Sequence, residues 1–214
     1  YIIIFKVYQR YMNSKEARII FMGTPPISAK VLEGLILNGY NVVAVIAQPD
    51  RPIGRKKVLE PVPTKVIAQK YDIPIYQVEK IRKEFAFVND LKPDVIITLA
   101  YGQLVPQEML DIPRFGAINL HGSLLPKYRG AAPIQYALIN SEKESGMTLM
   151  KMVKEMDAGE IYDVEKIKIS EEDNATSLFE KMGDAALTLI LRVLPLYLEN
   201  KLVGIPQDSS LVSF

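Results

Sequence analysis

No cysteine occurs among the 214 residues, histidine occurs once, and the two signs of charge nearly cancel, with 26 Lys and Arg against 25 Asp and Glu. The lack of thiols excludes disulfides, thiolate nucleophiles and most structural zinc sites; it suits a reducing cytosol, so a cytoplasmic location is expected. A single imidazole leaves a metal mostly carboxylates to bind, and neither H-E-x-x-H nor D-x-D-x-D-G is present, so no metal is expected. Balanced charge excludes the global basic field of a dedicated nucleic-acid binder, and any polyanion site has to be local. No apolar run reaches the ~18 residues of a membrane span, so no membrane association is expected. Phosphate-cradling glycines are missing too. The stretch "MGTPPIS" holds one glycine where a dinucleotide fold shows G-x-G-x-x-G, and no G-x-x-x-x-G-K-[ST] occurs, so no nucleotide cofactor is expected.

What is present is enough to bury a full core: 49% of the chain is hydrophobic, which suits one large α/β domain or one domain with an appendage. Residues 1–11, "YIIIFKVYQRY", lack the long apolar core and small-residue cleavage site of a signal peptide; they read as an extension of uncertain origin ahead of Met12. From there apolar bursts alternate with helical periodicity. "RIIFM", "NVVAVIAQ", "IPIY", "DVIITLA" and "GAINLH" read as strands, and "ISAKVLEGLILNGY", "TKVIAQKYD", "EFAFVNDLK" and "PIQYALIN" as helices. Strands nearly free of polar residues, separated by helices, predict a Rossmann-like α/β fold: an open, mostly parallel sheet with helices on both faces. After residue 144 the pattern changes. "GMTLMKMV" and "EIYDVEKIKI" predict two strands of antiparallel character joined by the polar "KEMDAG". A long helix is expected from Thr176 to Leu194, with Pro195 bending or ending it, and a turn-rich tail follows.

The lone histidine sits in "GAINLHGSLLPKYRGAAPI". Asn119 and His121 are two apart on a strand and so face the same side, at the strand's carboxyl end, where open α/β sheets bind ligands. An amide N–H and an imidazolium N–H converging there suit an oxyanion at a carbonyl under attack. A histidine merely satisfied at a strand end is the plainer alternative. Asp157 in "EMDAGE" is a candidate partner, because a carboxylate beside an imidazole favours the charged ring and orients it; Asp-Ala-Gly is equally an ordinary hairpin turn. Ser123 as nucleophile with His121 as base is a weaker reading, since no G-x-S-x-G elbow is present. The loop Gln48 to Lys65, "QPDRPIGRKKVLEPVPTK", holds five Lys or Arg against two acids. Its prolines and glycine are expected to keep it out of regular structure. It reads either as a mobile basic arm for phosphates or as a solvated loop.

These residues resemble the folate-dependent formyltransferases. "INLHGSLLPKYRGAAPIQYAL" resembles the family signature, the likeness continues through "GMTLMKMVKEMDAGEI", and it covers the chain from about Arg18 to the end. "FMGTP", "AQPDRPIGRKK" and "RGAAPIQ" together look most like the members that act on initiator tRNA. The resemblance implies a catalytic set of Asn119, His121 and Asp157, a folate segment of Ser123, Leu124, Leu125 and Pro126, and tRNA-contact candidates Arg51, Arg55, Lys56 and Lys57. It implies transfer of a formyl group from 10-formyltetrahydrofolate to the α-amine of methionyl initiator tRNA by a monomer. An amino-sugar nucleotide as acceptor, or a catalytically silent folate- or tRNA-binding module, are the alternatives. Three departures stand out. Gly54-Arg55-Lys56-Lys57 lacks the second glycine of the family's G-R-G-K-K, and Pro26-Ile27 replaces an acid and an aromatic. The family's C-terminal β-barrel domain has no counterpart in the sequence. The expected division is therefore a catalytic domain over 12–203 and the start of a linker over 204–214.

Overall fold

The computed structural model describes residues 13–53 and 58–214. Residues 1–11, Met12, and the loop cations Arg55, Lys56 and Lys57 lie outside the described residues. Chain order runs β1 (Ile19–Gly23), α1 (Pro26–Leu37), β2 (Val42–Ala47), β3 (Arg51–Ile53), β4 (Val58–Glu60), α2 (Pro63–Lys70) and β5 (Ile75–Gln77). It continues with α3 (Phe87–Leu91), β6 (Val95–Leu99), α4 (Gln107–Leu110), β7 (Ala117–His121), α5 (Pro133–Ile139), β8 (Glu144–Lys151), β9 (Ile161–Lys168) and α6 (Ala175–Leu198).

Seven strands form one sheet in the order β5-β2-β1-β6-β7-β8-β9. The first five in that order are parallel, and β8 and β9 are antiparallel, as the change of pattern after residue 144 predicts. The chain leaves β1 outward through β2 to β5, then returns to the other side of β1 as β6. Its direction thus reverses between β1 and β6, and the crevice beyond their carboxyl ends is where such sheets take ligands. The fold is the expected Rossmann-like one.

The strands are apolar throughout because both faces are covered. Ile19, Phe21, Val45, Ile97, Ile118, Leu120 and Leu149 pack with Val31, Leu32 and Leu35 of α1 and with Leu178, Met182, Leu189 and Ile190 of α6. The intervening residues Ile20, Met22, Ala44, Ile46, Ile96 and Ala117 pack with Val88 of α3 and with Met109 and Leu110 of α4. Each fully buried side chain of this kind contributes about 1.5–3 kcal/mol. Three helices, α1, α2 and α5, start with proline in the first turn, where its missing N–H would be unpaired anyway. The start of α6 is a capping box: the Asn174 side chain accepts from Ser177 N, and the Ser177 hydroxyl accepts from Asn174 N, both at 3.1 Å.

Two elements differ from the sequence-based expectation. Helix α6 runs through Pro195 to Leu198. Proline removes a single intrahelical bond there, while Leu194 and Leu198 are buried and the Tyr197 hydroxyl donates to Phe115 O, so tertiary contacts hold the last turn. The basic loop is partly regular. β3 and β4 pair antiparallel, Arg51 with Glu60 and Pro52 with Leu59; Pro52 is tolerated because the ribbon has only two strands, each of them an edge. Residues 204–214 run back along the domain. Ile205 bridges Ile161 of β9, and a short 3-10 turn spans Ser209–Leu211.

Candidate active site

The strand β7 presents Ala117, Asn119 and His121 to the face that carries Met22 and Ile96, and Ile118 and Leu120 to the other. Asn119 lies opposite Thr98 of β6 and Met150 of β8, and His121 lies opposite Thr148. The amide and the imidazole therefore share one face, as the two-residue spacing requires. His121 is buried, 6% exposed. Asn119 is half-buried, and its side chain has no hydrogen-bond partner among the described residues. That amide is a donor without an engagement.

His121 is held on both sides. Its Nε2 lies 2.7 Å from Tyr128 O; a carbonyl can only accept, so Nε2 carries a proton and donates. Its Nδ1 lies 3.5 Å from Asp157 Oδ2. A ring with a proton on each nitrogen finds an oxygen acceptor at each. Asp157 belongs to the loop between β8 and β9, and its Oδ2 also accepts from Gly130 N at 2.8 Å. The loop leaves the sheet at Lys151 and closes where it left, Lys151 N donating to Glu160 O at 2.9 Å. Gly159 makes that neck possible, since a Cβ there would stand 1.9 Å from Lys151 O. Asp157 itself has φ +51, a left-handed conformation that a non-glycine residue keeps only under restraint. The restraint is Gln207, whose Nε2 donates to Asp157 O and Gly159 O, each at 2.8 Å. The signature contains Tyr128 and Gly130 without assigning them a role, and no pattern marks Gln207; their roles are those of backbone groups and of a distant amide that only the folded chain brings near.

The folate segment predicted from the resemblance follows at once. Ser123 is fully buried and its hydroxyl donates to Lys127 O at 2.6 Å, while Thr148 Oγ1 donates to Ser123 O at 2.6 Å and accepts from Leu125 N at 3.2 Å. Ser123 thus shapes the loop. It makes no bond to His121, which removes the serine-nucleophile reading. Leu125 is buried and Leu124 and Pro126 are half-buried, with a cis peptide between Leu125 and Pro126.

Of the four basic candidates only Arg51 lies among the described residues. It is exposed on β3 and pairs loosely with Glu79 at 3.5 Å. The residue before it anchors the ribbon: Asp50 takes Lys65 as its ion-pair partner, accepts from Gln77 Nε2 at 2.7 Å and from Val62 N at 3.1 Å. Lys65, with Gln77 and the Val62 amide, holds the Asp50 carboxyl below the usual carboxylate range. Two buried polar atoms have no partner among the described residues, Thr98 Oγ1 beside Asn119 and the Tyr101 hydroxyl. Burial, with the charge of Glu84, pushes the Tyr101 phenol up to about 12. Among the described residues, no three His, Asp or Glu side chains come together as a metal ion would need, and no helix is long and apolar enough to cross a membrane.

Comparison with known proteins gives consistent matches. The family model described as formyl transferase matches residues 17–194. The chain is 48% identical over 200 residues to a methionyl-tRNA formyltransferase of Staphylococcus epidermidis, covering 92% of this chain and 64% of the relative. It is 46% identical over 199 residues to that of Bacillus cytotoxicus, covering 92% and 63%. The chain thus spans somewhat less than two thirds of the length of these relatives. Among solved structures, the phosphoribosylglycinamide formyltransferase of Anaplasma phagocytophilum superposes with a TM-score of 0.74 at 22% identity, over 93% of this chain and 97% of the other, which is a likeness of fold.

Proposed function

This chain belongs to the formyl transferase family, and from that premise we propose that it transfers a formyl group from 10-formyltetrahydrofolate to the α-amino group of methionyl initiator tRNA. The chemistry rests on one observation above all: an unengaged carboxamide, Asn119, stands two residues along the same strand face from an imidazole held between Tyr128 O and Asp157. The acceptor is supported by the 46–48% identity to relatives named methionyl-tRNA formyltransferase.

In the proposed reaction the free amine attacks the formyl carbon and forms the new C–N bond, and the carbonyl oxygen takes the displaced electron pair. Asn119 donates to that oxyanion, a group for which a single positioned donor is worth ~3–4 kcal/mol. His121, set beside Asp157, lies on the same strand face as Asn119 and is the second donor toward that oxygen. For it to donate directly, its Nε2 proton has to be shared with or released by the Tyr128 carbonyl. Collapse re-forms the carbonyl and breaks the bond to N10 of the folate. The proton given up by the amine passes through His121 and Asp157, or through water, to N10.

Ser123 to Pro126 shape the folate side of the site. Arg51, with Arg55, Lys56 and Lys57 that follow it in the sequence, meets tRNA phosphates, in line with the way Asp50, Lys65 and Gln77 fix the base of the β3–β4 ribbon. A monomer suffices, since all three reacting groups come from one chain. The test is to incubate the protein with 10-formyltetrahydrofolate and either methionyl-tRNA or an amino-sugar nucleotide. Formylmethionyl-tRNA is the expected product; formylation of the sugar alone refutes the acceptor, and formylation of neither refutes the reading.

A further inference from the structure

Two chain segments pinch His121. The Tyr128–Gly130 segment supplies the carbonyl at Nε2, and the loop after β8 supplies the carboxylate at Nδ1. The two segments meet directly through one bond, from Gly130 N to Asp157 Oδ2. Asp157 also keeps a left-handed backbone, and Tyr128 does too, with φ +57. Neither conformation is self-maintaining for residues with a Cβ. The separation between carbonyl and carboxylate, and with it the setting of the ring, therefore depends on whatever fixes these segments to each other.

Gln207 does so. Its Oε1 accepts from Arg129 Nε at 3.0 Å and Nη2 at 2.7 Å, and its Nε2 donates to Asp157 O and Gly159 O. Arg129 lies between Tyr128 and Gly130, so one carboxamide grips both jaws of the clamp. Only an amide can do this, because the guanidinium needs an acceptor and the two carbonyls need a donor. The guanidinium has no carboxylate partner among the described residues, so the amide is the side chain that orients it. Adjacent residues reinforce the grip: Arg129 N donates to Ser213 O at 2.8 Å and Tyr128 N to Ser213 Oγ at 2.9 Å.

We propose that Gln207 is a positioning residue for formyl transfer, acting through Arg129 and the Asp157 turn to set His121 against its carboxylate. This rests on the catalytic reading of His121 and Asp157 above. If Gln207 acts through Asp157, the two cannot be lost twice. Gln207→Ala lowers kcat ~10-fold or more with KM for both substrates within ~2-fold, and adding it to Asp157→Asn costs little beyond Asp157→Asn alone. A kcat within ~2-fold of wild type, or losses that multiply in the double variant, overturns the proposal. Gln207→Glu keeps the acceptor for Arg129 but loses the donor to both carbonyls; it is expected to match Gln207→Ala, and wild-type turnover in it overturns the proposal even if Gln207→Ala fails to fold. His121 is the only histidine, so its ring-nitrogen NMR signals report the clamp with no acceptor present. They are expected to move in both Gln207 variants as they do in Asp157→Asn. Unmoved signals overturn the positioning role whatever the acceptor proves to be, whereas signals that move in a protein inactive on methionyl-tRNA leave the clamp standing and count against the acceptor alone.

Discussion

Replacing Asn119 by alanine removes a carboxamide that has no hydrogen-bond partner among the described residues. No group in the resting protein is left unpaired by the change, and the strand keeps its register with β6 and β8. The cost in folding free energy is therefore expected within ~0.5 kcal/mol, as for substitutions away from packed or bonded features. Turnover is another matter. Both nitrogens of His121 already face acceptors, Tyr128 O and Asp157 Oδ2, so Asn119 is the donor free to meet charge as it develops on the formyl oxygen. Losing such a donor costs ~2.7–4 kcal/mol, or ~100- to 1000-fold in kcat. The loss falls on kcat, with KM little changed, because the interaction strengthens in the transition state. Single-turnover transfer from 10-formyltetrahydrofolate to methionyl-tRNA measures the first quantity and urea unfolding the second. A variant that turns over within ~3-fold of wild type, or that loses ~2 kcal/mol or more of stability, would show that the amide serves the fold and refute the reasoning.

Neutralising Arg55, Lys56 and Lys57 together should weaken tRNA binding and flatten its salt dependence by ~2–3 units of log–log slope, with folate binding unchanged; an unaltered slope favours the solvated-loop reading. Asp173 is held well below the usual carboxylate range by the Lys181 ammonium, with the Ser170 N–H and the Ser177 hydroxyl. A carboxyl depressed on folding contributes stability above its unfolded value of ~4 and loses it as pH falls through its folded value. Asp173→Asn should thus unfold at lower urea than wild type at neutral pH, the gap closing in strong acid; a gap that widens on acidification contradicts the assignment. Leu189→Ala in α6 empties a fully buried site between helix and sheet; a loss of ~2–5 kcal/mol in urea unfolding is expected, and one below ~1 kcal/mol would show that the face is loosely packed.

The strands and long helices are legible in the sequence because their apolar residues face two cores at once, and a continuous run such as Val95 to Leu99 has few other homes. Short elements are not. The four residues of α4 carry too little periodicity to register, and β3 reads as a breaker because Pro52 signals a turn while the ribbon it joins is invisible until Val58 to Glu60 fold back on it. Pro195 is read locally as a bend or an end, and of the two the end is ruled out because buried Leu198 carries the helix past it. At the site, Asn119 and His121 follow from strand spacing alone, whereas Asp157 is suggested by its chemistry but tied to His121 only through the resemblance, since no local rule brings a loop residue across the sheet face. Gln207 was out of reach, its partners lying 78 and 50 residues away along the chain.

The loop that carries Asp157 leaves and rejoins the sheet at one neck, between Lys151 and Glu160, while Asn119 and His121 are built into β7. Heat therefore acts on the two parts separately. A loop closed at its neck opens locally at far less cost than the cooperative melting of a seven-stranded sheet, and its opening takes the carboxylate away while leaving amide and imidazole at their fixed spacing. Activity measured against temperature should accordingly bend downward several degrees before the calorimetric transition, reversibly on cooling, with the sheet still intact.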